Sequence, residues 1–183
     1  MTRIFGLLFL IVTSLSAFAQ NDYYSRYEGP LRQLQRLRAK KTRFAPPVVT
    51  ETPEQIYKRE FLTALNAYRG NLGLSPLVHQ LNLDPIAATH SQNMASGSVP
   101  FSHDGFEGRC SAAYQLVSGE SGCSENVMFG ENSPTLALQR FLASDGHRRN
   151  IEHPSARATG IGLARSANGT LYFTQLFIMQ DYL

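Results

Sequence analysis

Five histidines, His79, His90, His103, His147 and His153, supply the imidazoles that can titrate or ligate near neutral pH. Two of them stand where a side chain can point into a cleft: His103 after "VPFS", and His147 in "FLASDGHRRNI", just past a helix that reads as ending at Gly146. His90 falls within a helical pattern beside Ala87 and Met94 and reads as a partly buried structural histidine. His79 and His153 lie in polar loop sequence and are assigned no role. Between His103 and His147 runs "CSENVMFGEN", which carries Glu125. Two imidazoles and one carboxylate from three separate segments are a ligand set for a divalent metal with an open position, zinc first. The same triple could instead tie three loops together by hydrogen bonds. Spacing alone does not separate the two, because a chain with five histidines and fourteen acids contains such triples by chance.

Two cysteines, Cys110 and Cys123, complete the reactive set. An even count in an exported chain favours a disulfide over two free thiols, and neither cysteine has a second ligand at the short spacing of zinc sites. A bridge there would help fix where Glu125 stands. Export is read from "MTRIFGLLFLIVTSLSAFAQ": one early cation, an apolar run from Ile4 to Val12, and Ala17-Phe18-Ala19 before Gln20, the small-x-small pattern of a cleavage site. Residues 1–19 are thus expected to be a signal peptide and the mature chain to be secreted or periplasmic. No later segment approaches the roughly 20 apolar residues of a membrane span.

From Gln20 to Pro53, seven Lys or Arg stand against three acids; from Glu54 onward, nine stand against eleven. The basic balance therefore belongs to an arm, residues 20–53, that could touch an anionic envelope or simply be solvated. Nothing in the pattern points to nucleic acid. In the arm, Leu31, Leu34 and Leu37 suggest a short amphipathic helix, and "FAPPVVTETP" an extended linker.

Residues 54–183 are long enough for one core. Thr52-Pro53-Glu54-Gln55 predicts a capped helix start, followed by an apolar stripe of Ile56, Phe61, Leu65, Tyr68 and Leu72. Asp84-Pro85 opens a second helix reaching Gly97, and Ser133-Pro134 a third running to Asp145-Gly146. "TGIGLARS" and "TLYFTQLFIM", joined through Asn168-Gly169, predict a hairpin whose second strand is apolar on both sides and hence central. Helices first and a hairpin last predict an α+β domain with helices flanking an antiparallel sheet.

The ordered segments "LTALNAYRGNLGLSPL", "AATHSQNMASGSVPFSH", "SENV", "GHRRNI", "GIGLA" and "LYFTQLFI" resemble the bacterial branch of the CAP superfamily, which groups cysteine-rich secretory, antigen 5 and pathogenesis-related group one proteins and is also called SCP-like. The resemblance covers about residues 57–178 and leaves the arm outside. It implies an α-β-α sandwich with a central antiparallel sheet, and a cleft lined by two histidines and two glutamates. Carried over, these are His103, Glu125 and His147, with Ser144 at the second glutamate position and Phe141 in place of a tryptophan. It also implies supporting roles: Arg148 paired with a carboxylate under the site, Asn150 bridging backbone in the loop before Pro154, and Arg109 as an ion-pair partner. Glu131 reads as a helix-start acid and not as the motif glutamate.

Two functions follow as expectations. The first is a binding module, for which the resemblance implies lipid or sterol ligands and envelope or host-surface partners. The second is a metal-dependent hydrolase acting on peptides or cell-wall material, with zinc on His103 and His147. The missing glutamate leaves no free base and favours the first, non-enzymatic reading.

Overall fold

A computed structural model describes residues 32–33, 35–37 and 50–180. Residues 32–33 and 35–37 are helical and exposed; the expected signal peptide and most of the basic arm lie outside the described residues. The chain forms two units, residues 1–50 and 51–183.

The second unit opens with helix α1 (Pro53–Asn71) and its predicted capping box: Thr52 and Gln55 exchange side-chain and backbone bonds, with proline at the first position. The buried stripe is Tyr57, Phe61, Leu65 and Arg69, one step rotated from the expected one, so Ile56 and Leu72 remain exposed. A two-residue strand β1 (Val78–His79) leads to α2 (Asp84–Ser96), which ends at Gly97 in the left-handed conformation. Then come α3 (Phe106–Tyr114), β2 (Glu120–Phe129), α4 (Pro134–Ala143), α5 (Asp145–Ile151), β3 (Ala156–Arg165) and β4 (Leu171–Gln180).

The sheet order is β1-β3-β4-β2. The three long strands are antiparallel, with β4 central and buried on both faces as its apolar pattern requires. The expected central antiparallel sheet is present, and at one edge the two-residue β1 pairs parallel with β3 and makes the whole sheet mixed. Helices cover both faces, giving the α-β-α sandwich. On one side Phe61, Phe141, Phe173 and Phe177 form the larger core with α1 and α4; on the other Leu83, Ala113, Ala158 and Ile178 pack under α2 and α3. On that second side α2 lies directly on β3. A Cβ at Gly162 would stand 2.1 Å from the Ala87 carbonyl carbon, and one at Gly160 would stand 2.4 Å from Leu83 Cβ. Only glycine permits that approach.

Two polar clasps fix the helices to the sheet. Asp84 receives His79 Nε2 (2.8 Å), the Ile161 N–H (2.8 Å) and Lys58 Nζ (3.1 Å), joining α2 to β1, β3 and α1. Burial raises its carboxyl, but these three donors outweigh that and hold it below the usual range. His79, which sequence left without a role, is therefore structural. Arg69, fully buried, has no carboxylate partner among the described residues. Its guanidinium donates to the carbonyls of Ser75, Ile151, His153 and Ala156, stapling α1 to the end of α5 and the start of β3.

Candidate functional site

Glu125 is the centre of the site. Its side chain is 1 % exposed, on the face of β2 that looks toward α3. Both carboxylate oxygens are occupied: Arg109 donates Nε to Oε2 at 2.6 Å and Nη2 to Oε1 at 2.7 Å, a two-pronged fork. His103 Nδ1 lies 2.8 Å from Oε1. An ionised carboxylate only accepts, so Nδ1 carries a proton toward Glu125 and Nε2 is turned away from it. The His103 side chain is 52 % exposed, so that face meets solvent.

Arg109 also ties the His103 loop, donating to the carbonyls of Asp104 (2.8 Å) and His103 (3.3 Å). The disulfide Cys110–Cys123 joins α3 to β2 one residue from Arg109 and two from Glu125, so the fork and the bridge brace the same junction. The expected pairing is present, and Arg109 is the ion-pair partner the resemblance implies. His90 supports the loop from below, its Nε2 3.0 Å from the Ser102 carbonyl. Burial chiefly lowers the His90 pKa; nearby Arg109 and His103 push the same way, partly opposed by the Ser102 bond and Glu125.

His147 was expected beyond the end of a helix. Instead α4 stops at Ala143, Ser144 alone is extended (φ −100°, ψ 121°), and the chain re-enters helix at Asp145, so His147 sits in the first turn of α5. Gly146 is helical and does not end the element. The imidazole packs edge-on against Phe141 with centroids 5.1 Å apart. Burial, and secondarily the charge of His103, hold its pKa below the ordinary histidine value.

Two asparagines lock α5 to β2. Asn126 Nδ2 donates to the His147 carbonyl (3.1 Å), and Asn150 Nδ2 donates to the Glu125 carbonyl (3.1 Å) and Asn126 Oδ1 (2.8 Å). Asn150 thus braces the strand that carries Glu125, a correction to the expected bridge before Pro154. Asn126 was missed, although it is adjacent to Glu125 in "SENV". Arg148 is corrected as well: it pairs with Asp145 at 2.7 Å on the surface, three residues back on its own helix, not with a carboxylate under the site. Glu131 accepts the Ser133 N–H at the start of α4, as a helix-start acid should.

A groove of about 540 Å³ runs past His147 along β2. Phe101, Val127, Met128, Phe129 and Phe141 form apolar wall, with Arg140 and Ser144 at the α4 side. Phe101 and Phe129, both partly exposed, meet edge-on at 4.9 Å. Glu125 thus holds His103 at the middle of β2, and His147 lines the groove that runs along the same strand. They do not make a metal cage: among the described residues no group of three or more His, Cys, Asp or Glu has the arrangement to hold an ion.

An α-β-α sandwich with a buried Glu125 held by Arg109 and His103 on its edge strand, and a groove past His147 along that strand, defines a class of protein. Residues 62–177 match the model of the CAP, cysteine-rich secretory protein family, and the chain belongs to that family. It is 27 % identical over 135 residues to the uncharacterized protein YkwD of Bacillus subtilis (strain 168), covering 70 % of this chain and 50 % of that one. The chain thus spans about half the length of that curated relative. Among solved structures, an extracellular protein with an SCP domain from Bacillus anthracis str. Ames superposes with a TM-score of 0.58 at 24 % identity, over 74 % of this chain and 45 % of that one. An outer surface protein of Borrelia burgdorferi gives a TM-score of 0.60 at 14 % identity, over 69 % and 95 %. At these identities the likeness is one of fold. Among the described residues no helix is long and apolar enough to cross a membrane.

Proposed function

We propose that the protein is an exported binding module whose ligand lodges in the groove beside His147, and not a hydrolase. The observation that carries this reading is the Arg109 fork on Glu125. A hydrolase acting on peptides or cell-wall material needs a carboxylate able to take a proton from water. Here both oxygens of the one carboxylate in the site already accept from Arg109, and one also from His103. Ser144, at the position where the family pattern implies a second glutamate, brings no replacement. The apolar wall suits a ligand with an apolar face, and the lipid or sterol class implied by the family resemblance is the first to try. The leader-like residues 1–19 support export, as does the description of the Bacillus anthracis likeness as extracellular. Contact with an envelope or host surface, through the basic arm, belongs to the same proposal.

Zinc fits only in part. His103 Nε2 and the His147 ring offer two imidazoles, whereas open zinc sites use three protein ligands. The proposal for zinc is therefore limited to weak binding at that imidazole pair, with no catalytic step attached to it. Calorimetric zinc titration of the mature chain, beside a folded His103→Ala/His147→Ala variant, checks it.

The binding reading itself is tested by incubating wild type and Glu125→Gln with peptide mixtures and peptidoglycan fragments, and separately with fluorescent fatty-acid and sterol probes. Saturable probe binding weakened by Phe101→Ala, with substrates recovered intact, is expected. Turnover by wild type that Glu125→Gln abolishes would overturn it.

A further inference from the structure

The edge of β2 carries unsatisfied strand chemistry. Gly130 N–H donates to the Leu171 carbonyl at 2.8 Å, which sets the phase of the β2–β4 ladder. With the observed register, Ser124, Asn126, Met128 and Gly130 exchange bonds with β4, while the N–H and C=O groups of Glu125, Val127 and Phe129 point away from it. β2 is the last strand of the sheet, so no further strand meets them among the described residues. The Glu125 carbonyl is taken by Asn150. Val127 and Phe129 keep theirs, and both residues line the groove.

We infer that the groove takes an extended peptide bearing a carboxylate, added as a strand along the outer edge of β2. An incoming strand would lie roughly 4.8 Å from β2, bonding Val127 and Phe129 while alternate side chains meet Phe101 on one flank and Phe141 on the other. The charge around the groove selects an acidic occupant. Its lining contains no Asp or Glu, whereas Arg140 faces it and makes no ion pair among the described residues. The Asn126 and Asn150 bonds to α5 close the edge at Glu125, so the added strand stops there, beside His147. An edge with free donors is a hazard for self-association; here Val127 is 4 % exposed and borders solvent only in the recess between α4 and the Phe101 loop, which reserves the edge for a chosen partner. The inference rests on the binding-module reading and adds to the lipid or sterol class named there a peptide that takes the same groove.

The test uses the mature chain and a phage-displayed library of random linear octapeptides. Enriched sequences should alternate apolar or β-branched residues and carry at least one Asp or Glu. A synthetic binder should slow amide exchange at Val127 and Phe129. Methylating its alternate backbone nitrogens should weaken it about tenfold or more, the loss expected for one or two hydrogen bonds. Phe129→Pro removes only an outward N–H and leaves the β4 ladder whole; it should lose binding well beyond Phe129→Ala. Should Phe129→Pro fail to fold, Arg140→Ala serves: it should weaken the acidic peptide and spare its Asn/Gln counterpart. No enrichment, protection confined to other segments, or indifference to methylation overturns the inference. Mass spectrometry of the bound peptide separates the two claims. An intact peptide that leaves the edge unprotected sinks strand addition alone, whereas a cleaved peptide held at the edge sinks the non-enzymatic reading alone.

Discussion

Replacing Arg69 with methionine should destabilise the domain more than any surface change, and the structure gives the scale. The guanidinium is fully buried and bonds four carbonyls drawn from α1's trailing loop, α5 and β3. Methionine fills a similar volume but leaves the Ser75 and Ile151 carbonyls without their donor, the Ile151 one in a buried place, while the His153 and Ala156 carbonyls keep the Ala156 N–H and Arg157 Nη1. Hydrogen bonds to a charged donor contribute about 1.5–3 kcal/mol each, and buried unsatisfied acceptors cost about 1–3 kcal/mol. The effects are not additive, and burying the cation is itself costly, so a net loss of about 3–5 kcal/mol is expected. Against a typical total of about 5–15 kcal/mol this is a large share. Urea denaturation followed by circular dichroism at neutral pH measures it directly. Arg69→Lys should recover only part, because an ammonium has three donors and no planar fork. Since Ile151 ends α5, the same variant should loosen His147 and broaden its NMR signals. A loss below about 1 kcal/mol for Arg69→Met would refute the reasoning, since a loss that small is ordinary for a point substitution with no buried network behind it.

His147 should titrate below the ordinary histidine value of about 6.5 in an NMR pH series. His103→Ala should raise its midpoint but leave it below the ordinary value, because burial is the larger cause. His147 and His90 are both lowered in the fold, so the unfolded chain binds more protons as pH falls. Their contribution to stability is therefore present above about pH 6.5 and is lost as pH drops from there through their folded values, which denaturation midpoints across that window would show. Gly162→Ala should destabilise severely or prevent soluble expression, since the new Cβ meets α2 backbone, whereas Gly146→Ala, helical with nothing within 4 Å, should be neutral or stabilise by about 0.5–1 kcal/mol. Removing the Cys110–Cys123 bridge, which spans 13 residues, should cost about 3 kcal/mol in urea unfolding. A cost near zero would mean that the Arg109 fork alone holds α3 to β2.

What the sequence announced by local pattern, the structure kept: the Thr52 cap, the Gly97 stop, the Asn168-Gly169 turn and the two-faced apolar run of β4. What it concealed depends on partners distant in the chain. Neither β2 nor α3 was foreseen. β2 buries Glu125 and Asn126, and polar residues inside a strand are stable only because Arg109 and Asn150 satisfy them. α3 starts after a left-handed Gly105 with no capping side chain, and leans on the disulfide and the fork. The break at Ser144 reads as a helix end because Asp-Gly is a turn signal, yet only one residue leaves the helix before α5 resumes. The site triple was legible through family resemblance and not through spacing. The asparagine lock beneath it is tertiary and gives no sequence signal beyond adjacency to Glu125.

Thermal unfolding of Glu125→Gln tests most directly whether this carboxylate holds the site together rather than acting on a substrate. Glutamine keeps the shape and removes the charge, leaving Arg109, 12 % exposed, without its partner. The expected loss is about 3–5 kcal/mol, as for a buried pair broken on one side, with a melting temperature lowered by about 10 °C or more. A variant that melts with wild type while losing a hydrolytic activity that wild type possesses would contradict the structural role.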